Sequence, residues 1–150
     1  MSQQTAVAMP DENEEPKKKE TRKKPRKRST HNRELGRKGE DAAVRFLERR
    51  GYDIVERNWT CFAGEADIIA RDGEAVVFVE VKTRTGASNG LPAEAVTKNK
   101  RERYEKIACA FLADYDVVDV PVRFDVVSIS LIDTDRAMVR HHIDAFGVDW

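Results

Sequence analysis

The stretch Gly64–Arg84, GEADIIARDGEAVVFVEVKTR, decides how this chain is read. Two runs of alternating apolar residues flank Asp72-Gly73, a dipeptide that strongly signals a tight hairpin turn. With Asp72 and Gly73 as the central turn residues, Ala70 faces Ala75, Ile68 faces Val77, Asp67 faces Phe78 and Glu65 faces Glu80. Directly paired residues share a face, and side chains alternate with period two. Glu65, Asp67, Glu80 and Lys82 are therefore expected on one face, together with Val76 and Phe78. A solvated face does not ordinarily carry Phe and Val beside several carboxylates. Gathered carboxylates repel one another, and burying them is costly unless they are paired or bound to metal. Lys82 offsets part of that cost. A hard divalent cation such as Mg²⁺, held by one or two carboxylates and several waters, offsets more.

Elements on either side of the hairpin complete the pattern. RELGRKGEDAAVRFLERRG predicts a helix from about Arg33 to Arg50, closed by Gly51. Its apolar stripe includes Ala43, Phe46 and Leu47. Steps of three, four and seven residues back along it reach Glu40, Gly39 and Gly36, so Glu40 is expected to point inward. Each interior glycine costs roughly 1 kcal/mol relative to alanine, which close approach to a neighbour or ligand would offset. YDIVERNWTCF reads as one or two strand segments with a bend at Asn58, and GASNGLPAEAV as a loop. TKNKRERYEKIACAFLADY reads as a second helix, started by Thr97 or by an Asn99–Glu102 capping box, with Tyr104, Ile107, Ala108, Phe111 and Leu112 as its core stripe. VPVRFDVVSISL and AMVRHHI follow as strands around a DTD turn. The order α-β-β-β-α-β-β predicts an α/β layer structure with one central sheet flanked by helices.

The 150 residues fit one ordered domain, 32–150, behind a charged tail, 1–31. The chain is neutral with 27 basic and 27 acidic residues, but the tail holds nine Lys/Arg against five Asp/Glu. The rest is mildly acidic, so nucleic-acid binding would rest on local patches or on the tail. Its DENEEPKKKETRKKPRKRSTHNR stretch has too little apolar surface to offset chain entropy and reads as disordered. It suits either a solubilising role or electrostatic contact with phosphates, and its composition also resembles a nuclear-import signal. Two cysteines, Cys61 and Cys109, make neither a disulfide framework nor a zinc site and fit small core thiols of a reduced cytoplasmic protein. No apolar run reaches the ~18 residues of a membrane span, and the N-terminus lacks a signal-peptide core.

A helical Glu, a strand Asp and a Glu-x-Lys on the next strand resemble the pattern of the PD-(D/E)XK nuclease superfamily, matched here by Glu40, Asp67 and Glu80-Val81-Lys82. The blocks GRKGEDAAVRFLERRGYDIVERNW, GEADIIARD, VVFVEVKTR and RFDVVSI are similar to the bacterial YraN family of predicted endonucleases. The likeness spans about residues 33–147. It departs from the superfamily pattern at Ala66, where the name implies Pro. The resemblance implies a restriction-endonuclease-like fold with a mixed sheet, and Mg²⁺- or Mn²⁺-dependent phosphodiester hydrolysis. On that pattern Asp67 and Glu80 hold the metal, with the Val81 carbonyl as a third ligand. Glu40 acts through a water or a second ion, and Lys82 orients the attacking water. Many members of the superfamily dimerise to cut two strands, so a homodimer is among the expectations.

Further candidates are more local. Lys98, Lys100 and Arg101 at the start of the second helix, and Arg84 just past Lys82, are candidate phosphate contacts. The alternative is a solvated charged turn. Glu65 reads as a surface residue or an extra ligand. Asp125 reads as the partner of Arg123 or as a further acid of the patch. His141 and His142 lack metal-ligand spacing. Trp59, Trp150 and Phe62 are core or rim aromatics without the regular interleaving of a base-stacking platform. Two functions follow: a metal-dependent nuclease acting on branched, damaged or single-stranded DNA, or a nucleic-acid-binding protein of nuclease fold that performs no chemistry.

Overall fold

The computed structural model describes residues 30–85, 97–115 and 119–146. The charged tail up to residue 29 and the loop expected at 86–96 lie outside the described residues. The elements are α1 (Thr30–Arg49), β1 (Asp53–Cys61), β2 (Gly64–Asp72), β3 (Ala75–Thr85), α2 (Lys98–Leu112), β4 (Val122–Leu131) and β5 (Ala137–His142). This is the expected α-β-β-β-α-β-β order. The strands form one mixed sheet ordered β1-β2-β3-β4-β5, antiparallel throughout except for the parallel β3–β4 pair. α2 makes the crossover that a parallel pair needs. The arrangement is consistent with a restriction-endonuclease-like fold. Among the described residues no helix is long and apolar enough to cross a membrane.

α1 begins at Thr30, before the expected Arg33, and takes in two residues assigned to the tail. Its end is a Schellman motif. Gly51 sits at φ 86, its N–H donates to Glu48 O, and Tyr52 N–H donates to Leu47 O, both at 3.0 Å. Gly39, Ala43 and Leu47 are buried and pack on the sheet face that carries Ile68, Val77, Val79, Val127 and Ile129. The opposite face carries Val76, Phe78, Phe124 and Val126 and is covered by Tyr104, Ile107 and Ala108 of α2. Of the two candidate starts of α2, Thr97 is the N-cap, its side chain accepting from Lys100 N–H at 3.2 Å. Cys109, expected in the core, is exposed, and Cys61 is half-buried. α2 places Tyr104, Ile107 and Ala108 inward and leaves position 109 on its solvent side.

The hairpin register differs from the expected one by two residues. Asp72 pairs with Ala75, Ala70 with Val77 and Ile68 with Val79. The central turn residues are thus Gly73 and Glu74, and Gly73 alone takes positive φ, 59. That is what a type II′ turn requires of its first central residue. Because side chains repeat every two residues, a slip of two changes partners but not faces.

Candidate active site

The site forms where the sheet splits. β2–β3 pairing ends at Ile68↔Val79, while β1–β2 pairing continues to Cys61↔Gly64 and β3–β4 pairing to Thr85↔Leu131. The first residues of β2 therefore part from the last residues of β3. Asp67 stands at the fork, and its Oδ2 accepts a hydrogen bond from Val81 N–H at 2.8 Å. The carboxylate takes the donor that a continued ladder would have given to a backbone carbonyl.

The cavity at this fork, about 470 Å³, is lined by Asn32, Leu35, Gly36 and Glu40 of α1, by Asp67, and by Glu80–Thr83 of β3. The acids reach this cavity from both sides of the sheet, because Glu40 of the helix joins those of the hairpin. Glu80 alternates in step with Phe78 on the α2 side, Glu40 comes from α1 on the other side, and Asp67 lies between them. They share a cavity because the gap between β2 and β3 opens the sheet. Burial pushes the Asp67 carboxyl up to about 6. The Val81 hydrogen bond opposes that shift, and the charges of Glu40, Glu80 and Glu65 reinforce it. Glu65 itself is exposed.

Glu80 is buried between two ammonium groups. Lys82 Nζ is 3.5 Å from Oε1, and Lys100 Nζ is 2.6 Å from Oε2. The second contact is a close ion pair, and Oε2 has no further hydrogen-bond partner among the described residues. Lys100, expected as a phosphate contact, is thus largely enclosed and turned inward. Its pairing with Glu80 was not legible from the order of residues, because α2 and β3 meet only through the tertiary fold. Lys98 and Arg101 are exposed, and Lys98 lies 4.0 Å from Glu102. Arg84 is half-buried next to the site on β3.

At Gly39 α1 packs directly against β3. A Cβ there would overlap Thr83 Oγ1, whereas one at Gly36 would have no described atom within 4 Å. One glycine permits helix–strand contact and the other leaves the cavity open. Asn32, Leu35 and Thr83 line the site without having been singled out in the sequence. Tyr104 is buried in the core on the α2 side of the sheet. Burial raises its hydroxyl pKa strongly, and the nearby charges of Glu80 and Asp67 add to the effect.

Among the described residues no group of three His, Cys, Asp or Glu side chains forms a ready-made metal cage. Mg²⁺ does not need one, since it commonly takes one or two carboxylates and keeps water or substrate phosphate in its other positions. The crowded, half-buried Asp67 and Glu80, whose two oxygens face Lys82 and Lys100, are the carboxylates such an ion would find.

The other predicted polar residues lie elsewhere. Asp125 is fully buried and holds Arg123 through Nε at 2.9 Å and Nη2 at 3.0 Å. His141 Nε2 is 2.8 Å from Asp125 Oδ2, so this histidine belongs to a structural network and not to the site. Trp59 packs edge-on against Phe111, Phe62 is exposed, and Trp150 lies outside the described residues.

A family model described as "Uncharacterised protein family UPF0102" matches residues 39–129. The chain belongs to UPF0102. A UPF0102 protein of Geobacter sulfurreducens is 47% identical over 118 residues, 79% of this chain and 92% of the relative. One of Geobacter metallireducens is 52% identical over 118 residues, 79% and 96% of the two chains. One of Nocardia farcinica is 49% identical over 107 residues, 71% and 84%. The span of the family match includes Glu40, Asp67, Glu80, Lys82 and Lys100 and begins just after Gly36.

Proposed function

We propose that this UPF0102 protein is a divalent-metal-dependent nuclease of the PD-(D/E)XK type, related to the YraN endonucleases, that hydrolyses phosphodiester bonds in DNA. The observation that carries this reading is one polar cavity at a split in the sheet, lined by Glu40, Asp67, Glu80 and Lys82 from three separate elements. Asp67 and Glu80 would hold Mg²⁺ or Mn²⁺, with the Val81 carbonyl as a further ligand and Glu40 reached through water or a second ion. The bound ion supplies Lewis acidity and a lowered pKa for its water. Lys82, ion-paired with Glu80, orients the attacking water and opposes charge developing on the phosphate. Lys100 fixes the Glu80 carboxylate and so presets the geometry before substrate arrives. A cytoplasmic setting and a homodimer for cutting both strands belong to the same reading.

The test is incubation of purified protein with flap, junction and single-stranded substrates in Mg²⁺ or Mn²⁺. Cleavage is expected, and Asp67→Ala or Glu80→Ala should abolish it. Cleavage that survives both substitutions comes from a contaminant. One observation favours the non-catalytic alternative: Lys82 and Lys100 already neutralise Glu80 as a metal would. Calorimetry separates the two readings, because a binding module gives no Mg²⁺ heat that Asp67→Ala removes.

A further inference from the structure

A second groove, about 510 Å³, runs beside the candidate active site. The two share Asn32, Gly36 and Glu40 as walls. Beyond those residues the groove is bordered by Arg33 and Arg37 of α1, and by Asp41, Arg57 and Asn58 on its β1 side. We infer that this groove seats the sugar-phosphate backbone of a nucleic-acid strand next to the scissile phosphate, with Arg33 and Arg37 as its phosphate contacts. The inference rests on the nuclease reading for the position of the scissile phosphate. It adds the path of the strand and the residues that hold it.

Three observations point the same way. Arg33 and Arg37 are one helical turn apart on α1, so their side chains leave one face about 5–6 Å apart at Cβ, the scale of neighbouring phosphates on one strand. Both are exposed, and neither has a hydrogen-bond or ion-pair partner among the described residues. Arg57, by contrast, donates to Asp41 at 2.6 Å, which neutralises the groove's far acid and fixes that wall. At Gly36 no described atom lies within 4 Å of where a Cβ would stand, so the passage from one cavity to the other is open.

Electrostatics selects the ligand. The first cavity is acidic and repels every phosphate except one bridged by a cation. A strand crossing it therefore needs positive charge as soon as it leaves. Planar guanidinium groups suit this, since each can grip phosphate oxygens in pairs. The start of α2 offers less, because Lys100 is committed to Glu80 and Lys98 lies near Glu102.

The experiment measures binding of a fluorescent single-stranded oligonucleotide to the full chain in EDTA over a range of salt concentrations. Wild type is compared with Arg33→Ala/Arg37→Ala and with Arg45→Ala/Arg49→Ala. The second pair removes the same charge from α1, but along a different groove beside the β4–β5 turn. The first variant should lose affinity at least tenfold at low salt. Its slope of log affinity against log salt should be shallower by roughly 1.4, about 0.7 for each lost phosphate contact. The second variant should keep the wild-type slope. An unchanged slope in Arg33→Ala/Arg37→Ala overturns the inference, and so does an equal fall in both variants. Melting curves check the fold, with Arg33→Gln/Arg37→Gln as a second pair should the alanine variant melt early. Because no metal is present, the slopes are readable even if wild type shows no Mg²⁺ heat and the nuclease reading fails.

Discussion

Asp67 carries two constraints in one carboxylate. It replaces a backbone acceptor for Val81 N–H, and burial together with three neighbouring acids raises its pKa from 3.8 to about 6. A raised carboxyl pKa means that the folded state holds the proton more tightly than the unfolded chain. Stability is therefore lost as pH rises from about 4 through about 6, and the penalty is complete at neutral pH. Asp67→Asn keeps an oxygen for Val81 and removes the charge. At pH 7 without metal the variant should melt a few degrees above wild type, and the difference should vanish near pH 4. Adding Mg²⁺ should raise the melting temperature of wild type but not of Asp67→Asn, because the ion needs the ionised carboxylate. Differential scanning calorimetry at pH 4, 5.5 and 7, with and without Mg²⁺, checks all three outcomes. A variant less stable than wild type at pH 7 would show that the Val81 bond, not charge relief, dominates at this position.

The α1–β3 contact depends on which glycine faces the strand. By propensity alone, alanine at either position favours the helix by about 1 kcal/mol. At Gly36 nothing opposes that gain, whereas at Gly39 the added methyl meets Thr83. Gly36→Ala should therefore stabilise by up to about 1 kcal/mol, and Gly39→Ala should destabilise by about 1–3 kcal/mol through overpacking. Urea unfolding of the two variants reads the opposite signs. Both glycines were legible in the sequence as interruptions of a helix, and so was the inward turn of Glu40, because a 3.6-residue period is a local property. The β2–β3 register was not: Asp72-Gly73 and Gly73-Glu74 are both admissible two-residue turns, and the choice falls to packing across the sheet. The slip of two residues left unchanged which residues of β2 and β3 share a face, which is why the acids could still be placed near one another. What no local pattern carried is the splitting of β2 from β3, since it depends on β1 retaining one end of β2 and β4 retaining one end of β3. The Lys100–Glu80 pair was hidden for the same reason.

Across the molecule, polar chemistry is concentrated at two places with separate duties. The fork of the sheet holds Asp67, whose ionised form burial disfavours. The other place is the network around Arg123, which donates to Asp72 of β2 at 2.9 Å, to the Tyr52 hydroxyl at 2.7 Å, and twice to Asp125 of β4. Asp125 also receives Asp144 N–H at 3.0 Å and contacts His141 of β5, whose ring lies edge-on to Phe46 and Tyr52. None of these residues lines the candidate site. Burial alone would raise the Asp125 pKa, but hydrogen bonds with His141, Arg123 and Asp144 N–H hold it below the usual carboxylate range. Its contribution to stability is therefore present above about pH 4 and fades as acid protonates it, opposite in sign to that of Asp67. Arg123→Met removes the main countercharge of a fully buried carboxylate and should cost about 3–5 kcal/mol. Urea midpoints at pH 7 read that loss, and the variant should also lose part of the wild-type fall in stability below pH 4. Its Mg²⁺ heat, measured where it remains folded, should match that of wild type. A variant that keeps its stability but loses the heat would mean that the network supports the site directly, and the division of labour between strand fork and strand tie would be wrong.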